Sequence, residues 1–352
     1  MSFKSAVAKN LVMRLIGVMT VAGAALVTVG LTSESLIRRA QSVRSAALSK
    51  VQLPDESIGV DGIARTLISA FDQADIVALG EWHGRIGLDS DLRIALVRQP
   101  DFAKKVRYIV IECGSATEQA TLDRYIRGEN VPRVQLERVW KATVETTNGF
   151  CDAPAYADFL AAIRDVNTRL PAEAHIRVFG GHPGPGPNRG IETTAVSVLK
   201  EQLLQKHGKA LVIFGAAHFY RTLPAAFLSS MGSDVGLARA MEINFPGRTF
   251  VVLPVGRLDR PGAVAADVGP DFQKFDRALK TPVRPVLVSL QRLPFRDFSA
   301  EEFLGRTLTT CRGAGGCVSA FKGSTITLGQ MADACFYVGG SDDGDPKAKA
   351  AR

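Results

Sequence analysis

Two acidic and three imidazole side chains fall where apolar runs end, and they are the residues of this chain best suited to proton or ligand chemistry. Glu81 and His83 stand one residue apart directly after Ile76-Val77-Ala78-Leu79-Gly80. Glu112 closes Ile109-Val110-Ile111, His182 follows Val178-Phe179-Gly180-Gly181, and His218 follows Phe214-Gly215-Ala216-Ala217. His175 and His207, the other two histidines, do not occupy such positions. A neutral histidine takes a proton from water near neutral pH, and a nearby carboxylate stabilises the imidazolium that forms. The same Glu81, His83, Glu112 and His218 are equally suited to ligate a divalent metal that keeps a position open for water. Sequence alone leaves both chemistries open.

Three further residues belong to the candidate set. Arg93, ten residues after His83, is expected to anchor an anionic group of a substrate or to stabilise an oxyanion. His182 is expected beside the substrate, and Trp82 is read as either a pocket wall or core. Arg221, three residues after His218, is a weaker case of the same kind as Arg93. Other chemistries lack their residues. Gly184-Pro185-Gly186 sits among prolines, which remove the amides that would cradle a phosphate. Neither a Walker A lysine motif nor a G-x-S-x-G elbow is present. Ser115 reads as a helix cap, and Cys113 as a packed thiol.

Elements that could bring these groups together are legible as alternation. Short apolar runs rich in Val and Ile cover 75–79, 107–111, 176–179, 210–214, 249–253 and 285–290. Such runs fit strands buried on both faces of a parallel sheet. Helical spacing covers 60–73, 91–99, 117–127, 134–145, 155–168 and 191–207. Strand alternating with helix predicts an α/β fold with a doubly wound, mostly parallel sheet and helices on both faces. Residues 291–340, rich in Gly and Thr, are expected to add an antiparallel edge or a flap. In an open α/β sheet, ligands bind beyond the carboxyl ends of the strands, so one parallel sheet would gather the candidate residues at one edge.

Composition bounds the rest. The chain has 352 residues, 46% hydrophobic and 22% charged, enough to bury a full core. Its net charge is +8, and subtracting Lys4, Lys9 and Arg14 leaves +5. No basic stripe interleaved with aromatics is present, so a nucleic-acid partner is not expected. Those three charges precede an uncharged run, Leu15 to Leu31, so residues 1–31 are read as a signal peptide or an N-terminal membrane anchor. Residues 32–58 follow as a linker or stem, 59–338 as one α/β domain, and 339–352 as a disordered tail. The expected location is the periplasm or the inner-membrane surface, with membrane contact only through the N-terminal segment. Five cysteines are consistent with an oxidising compartment. Cys311 and Cys317 enclose a flexible loop that a disulfide could close, with Cys335 as a competitor. Cys113 and Cys151 either pair or remain buried thiols.

The stretch Ala78-Leu79-Gly80-Glu81-Trp82-His83-Gly84 resembles the opening motif of the superfamily that joins erythromycin esterases, ChaN-type haem-binding lipoproteins and Tiki (TraB) proteases. The single residue between Glu81 and His83 resembles the ChaN and Tiki type. Later segments resemble the esterase layout: Ile111-Glu112, the helix Leu122-Asp123-Arg124-Tyr125-Ile126-Arg127-Gly128, Val178-Phe179-Gly180-Gly181, and Gly215-Ala216-Ala217-His218. His182 lies where an Asp is common in that layout. The resemblance spans roughly 60–255 and implies Glu81, His83, Glu112 and His218 as the functional set, with Arg93 as an addition. It implies an exported, esterase-like hydrolase of an ester or amide in a small-molecule or peptide substrate. A metal-dependent hydrolase or protease and a non-catalytic haem- or iron-binding protein are the alternatives. The corresponding cofactor is none, a divalent metal or haem.

Overall fold

The computed structural model describes residues 51, 53–82, 88–143, 151, 153–185, 190–204, 208–224, 236–256, 272–304, 309–311, 317–319 and 321–339. The N-terminal run 1–31, most of the stem, His83 and the tail 340–352 lie outside them.

Valine- and isoleucine-rich segments form the strands, because β-branched side chains pack well on a pleated surface. They are β1 (Glu56–Ile58), β2 (Ile76–Glu81), β3 (Tyr108–Ser115), β4 (Arg177–His182), β5 (Ala210–Gly215), β6 (Thr249–Val255), β7 (Val286–Ser289), β8 (Thr309–Cys311), β9 (Cys317–Ser319) and β10 (Ala334–Tyr337). Eight make one sheet in the order β1-β7-β10-β6-β2-β5-β3-β4, while β8 and β9 pair separately. The run from β10 to β4 is parallel throughout. Within this sheet, β7 runs against its neighbours β10 and β1.

Six longer helices cover the sheet: α1 (Gly59–Ala70), α2 (Leu88–Arg98), α3 (Gln119–Ile126), α4 (Ala153–Asn167), α5 (Ile191–Leu199) and α6 (Leu237–Asn244). Alternation sorts them into two layers. Val77, Leu79, Ile109, Ile111, Leu211 and Ile213 share one buried cluster with residues of α1 to α4. Ile76, Ala78, Val110, Val212 and Phe214 share the other with residues of α5 and α6. Helices thus lie on both faces of a mostly parallel sheet, the predicted architecture.

Three details correct the expectations. The antiparallel strand is β7, inside the run read at 285–290. Residues 291–340 supply an antiparallel pair, the β8–β9 hairpin outside the main sheet, and also β10, which runs parallel to β6 and antiparallel to β7. Residues 56–58, placed in the stem, pair with β7 as β1. The helix expected at 134–145 is broken into turns at Arg133–Leu136 and Arg138–Lys141. No helix of the described residues is long and apolar enough to cross a membrane, and the Leu15–Leu31 run is outside them.

Candidate functional site at the carboxyl edge of the sheet

Gly215, the last residue of β5, organises the site. Its Cα is the register partner of Glu81 at the end of β2. Its amide donates to Glu112 Oε2 at 2.5 Å, from the neighbouring strand β3. The two carboxylates therefore flank one backbone position. Strand alternation sends them to opposite faces. Glu81 continues the face of Val77 and Leu79, and Glu112 continues that of Val110. An irregularity in β3 accompanies this placement. Ile111 pairs with Gly180 and Ser115 with His182, so β3 carries two extra residues between those pairs. Bulged strands of this kind re-aim side chains next to functional sites. A Cβ on Gly180 would stand 2.6 Å from Gly114 O, so only glycine permits β4 to approach the bulge.

The Glu81 cluster is enclosed. Glu81 Oε2 accepts from Arg93 Nη1 of α2, and Oε1 accepts from the Tyr156 hydroxyl of α4 at 2.8 Å. The Arg93 guanidinium carbon lies 4.8 Å from the centroid of the Tyr156 ring, a cation–π contact. Glu81, Arg93 and Tyr156 are all buried. Burial, then the Glu81 charge, push the Tyr156 phenol well above its ordinary value, so it remains a neutral donor. Glu112 adds to the same field, which couples the two faces electrostatically.

The Glu112 cluster reaches the surface. Glu112 Oε1 stands 3.2 Å from His218 Nε2, and His218 Nδ1 stands 3.3 Å from Glu192 Oε1 of α5. His218 and Glu192 side chains are about a fifth exposed, at 20% and 18%, whereas Glu112 is buried. Burial alone would lower the His218 pKa. The charges and hydrogen bonds of Glu112 and Glu192 outweigh it and raise the imidazole to about 10. Burial likewise opposes ionisation of Glu192, and the bonded His218 outweighs it, holding that carboxyl below its ordinary value.

Between the clusters runs a covalent tie. Cys113, next to Glu112, forms a disulfide with Cys151, two residues ahead of the helix that carries Tyr156. This settles the pairing left open by the sequence, and Cys113 is no free thiol. Cys335 is a buried free thiol, pushed upward by burial. Cys311 and Cys317 are register partners in the hairpin, and the disulfide considered for them involves side chains outside the described ones.

Of the sequence candidates, Glu81, Glu112 and His218 come together around Gly215. His83 follows Glu81 by two residues and lies outside the described residues. Three others take different places. Arg93 is 3% exposed and paired with Glu81, so it holds that carboxylate rather than facing a substrate. His182 is fully buried, and its Nδ1 accepts from the Gly184 amide at 3.1 Å, which encloses the ring behind its own loop. Trp82 is 7% exposed within the apolar layer of the first face. Arg221 sits in a separate buried network with Asp333 and Glu242. Ser115 caps the turn Ala116–Glu118, accepting from the Thr117 amide at 3.3 Å. Tyr156 and Glu192 are the residues that sequence reasoning missed.

Among the described residues, which do not include His83, the donor atoms of the site are turned to protein partners. Both oxygens of Glu81 and of Glu112, and both ring nitrogens of His218, face protein partners. Among the described residues no group of three or more His, Cys, Asp or Glu side chains is placed to hold a metal ion. Fully buried His182 presents no open face to a haem iron.

No protein-family model matches the chain and no curated protein matches it in sequence. Solved structures do. A succinoglycan biosynthesis protein superposes with a TM-score of 0.52 at 11% identity, over 84% of this chain and 97% of its own. A protein from Bacillus cereus gives 0.50 at 12% identity, over 85% and 97%. At such identities these two establish a shared fold and nothing of function. An erythromycin esterase variant in its open conformation aligns with a TM-score of 0.48 at 11% identity, over 79% of this chain and 93% of its own. Fold and site together define the class: a doubly wound α/β protein with a two-part ionic centre at the carboxyl edge of its sheet.

Proposed function

We propose that the chain is an exported hydrolase of esterase-like type, acting on an ester or amide of a small molecule or peptide. The observation that carries this reading is the pair of carboxylates flanking Gly215, with an imidazole bonded to one of them at the solvent-facing side. Buried acids are costly even when paired and hydrogen-bonded, and their concentration at two strand ends beside one backbone position supports a functional reading.

The roles divide by proton inventory. His218, with a carboxylate at each ring nitrogen, is charged at neutral pH and has no lone pair for a proton. The base is then His83, which takes a proton from water as the hydroxide adds to the carbonyl carbon. When the carbon–oxygen bond breaks, His218 supplies the proton that the departing alkoxide requires, the Nε2 proton exchanging its contact with Glu112 for the leaving oxygen while Nδ1 stays on Glu192. An acid held near 10 remains loaded at neutral pH and is still far more acidic than an alcohol. Glu81, fixed by Arg93 and Tyr156, holds the end of β2, two residues before His83 in sequence. The Cys113–Cys151 disulfide supports an oxidising location.

The test is a panel of aryl esters, lactones and peptides against the purified full chain, with and without chelator. Hydrolysis should persist in chelator and fall roughly 10²- to 10⁴-fold in His83→Ala. Full activity in His83→Ala would overturn the assignment of the base.

A further inference from the structure

We propose that Glu192 is a positioning residue: through His218 Nδ1 it fixes the plane of the imidazole and aims Nε2 at Glu112. Three observations place it in that role. First, a line of contacts runs Gly215 amide, Glu112, His218, Glu192, each with the next, and its two ends are anchored on different elements. Glu112 is held by strand β5, while Glu192 stands on α5, which packs on the same face. An imidazole gripped at both nitrogens from opposite sides cannot rotate about its Cβ–Cγ bond without breaking one grip. Second, the remaining freedom is closed by Phe214, whose ring meets the His218 ring edge-on at 5.8 Å and 75°. Third, Glu192 occupies the first turn of its helix, where the exposed amides favour a negative charge. Gly190, with φ +92, starts that helix in the left-handed region, so the chain turns into α5 directly before the carboxylate.

A carboxylate in the first turn of a helix has a structural use by itself, as a partner of the amides. What separates the two roles is the shared oxygen: Glu192 Oε1 is the atom facing His218 Nδ1. Removing the side chain leaves Nδ1 open to water and the ring free to turn, so the proton on Nε2 is no longer aimed.

Two readouts decide it. In the imidazole proton spectrum of the full chain, with His218→Gln used to assign the resonance, the Nδ1 proton of His218 should be protected from solvent exchange. It should remain protected in Glu192→Gln, whose amide oxygen still accepts, and exchange at least tenfold faster in Glu192→Ala. Unchanged protection in Glu192→Ala, or equal loss in both variants, would overturn the proposal. The kinetic arm rests on the hydrolase reading and uses p-nitrophenyl acetate as probe. Here Glu192→Ala should lower kcat roughly 10- to 10²-fold, up to the scale of a misplaced catalytic group, with KM within twofold, and Glu192→Gln should restore most of it. A KM effect alone would count against positioning. If the wild-type chain does not cleave the ester, the hydrolase reading fails, while the exchange measurement still supports or overturns the role of Glu192 by itself.

Discussion

Glu81 and Glu112 are the same residue type at the same kind of position, one strand apart from a common glycine, yet their surroundings differ in every respect that matters to proton chemistry. Glu81 faces a guanidinium, which does not lose its proton in proteins, and a phenol held neutral. Its cluster is buried, and its carboxylate is paired with the guanidinium. Glu112 faces a histidine that in turn faces a second carboxylate, so this trio carries a net negative charge and opens to solvent. One half is built to stay as it is. The other contains a group that changes its charge. A strand-end carboxylate is therefore not a role in itself; the helix across from it assigns the role.

If that contrast is right, the largest effect should come from opening the closed half. Arg93→Ala leaves Glu81 buried without its cation. Breaking a buried pair in this way costs about 3–5 kcal/mol, because the remaining charge is uncompensated. Chemical denaturation of Arg93→Ala and of the double variant Arg93→Ala/Glu81→Gln checks it. The double variant should recover a good part of the loss, since no charge is stranded. A loss below about 1 kcal/mol in the single variant would mean that the Glu81 pocket admits water, and the contrast with Glu112 would dissolve.

A smaller effect isolates the neutral donor of the same cluster. Tyr156→Phe deletes one hydroxyl and keeps the ring under Arg93. A hydrogen bond to a charged group contributes roughly 1.5–3 kcal/mol, and the unfolding free energy should fall by that amount with little change in any activity. An activity loss much larger than the stability loss would move Tyr156 from support into the chemistry. It would also bring the two halves closer in function than their packing suggests.

How much of this was legible in the sequence follows from where each residue sits. The interior strands β2 to β6 announced themselves as continuous Val- and Ile-rich runs, and a polar residue ending such a run marked Glu81, Glu112 and His218. Strand β10 did not. Its Ala-Cys-Phe-Tyr is only four residues long, within a Gly- and Thr-rich stretch that masks the pattern. The division of the site between two faces was equally hidden. Strands buried on both sides have apolar residues at odd and even positions alike, so parity gives no outside and inside. Tyr156 and Glu192 were invisible for a third reason. Each lies on a helix, 75 residues from Glu81 and 26 from His218, and only the folded crossover brings it there. Arg93 was picked for its charge, and the structure pairs it with Glu81, a partner that spacing could not name because it cannot say whether a cation meets a ligand or a neighbouring carboxylate.

The smallest effect reads the open half directly, through pH. His218 is raised in the folded chain from an ordinary value of 6.5 to about 10 by its two carboxylates. A group raised on folding binds its proton more tightly in the native state. Its contribution is therefore complete below about 6.5 and is lost as pH climbs through 10. Glu192, lowered on folding, behaves in the opposite sense: its share is present above the ordinary carboxyl range and disappears in acid. Wild-type protein should thus lose stability between pH 7 and 10 by more than His218→Gln does. Water at a ring one-fifth exposed screens the interaction, so the excess should be on the order of 1 kcal/mol. Urea titrations of both proteins at intervals across that range measure it, and the difference between them removes the lysines, tyrosines and Cys335 common to both. Glu81→Gln, compared with wild type over the same interval, should show no such excess, because its partners hold their protons throughout. Parallel curves for wild type and His218→Gln would mean that the imidazole is not charged by its neighbours, and His218 would then be free to serve as the base in place of His83.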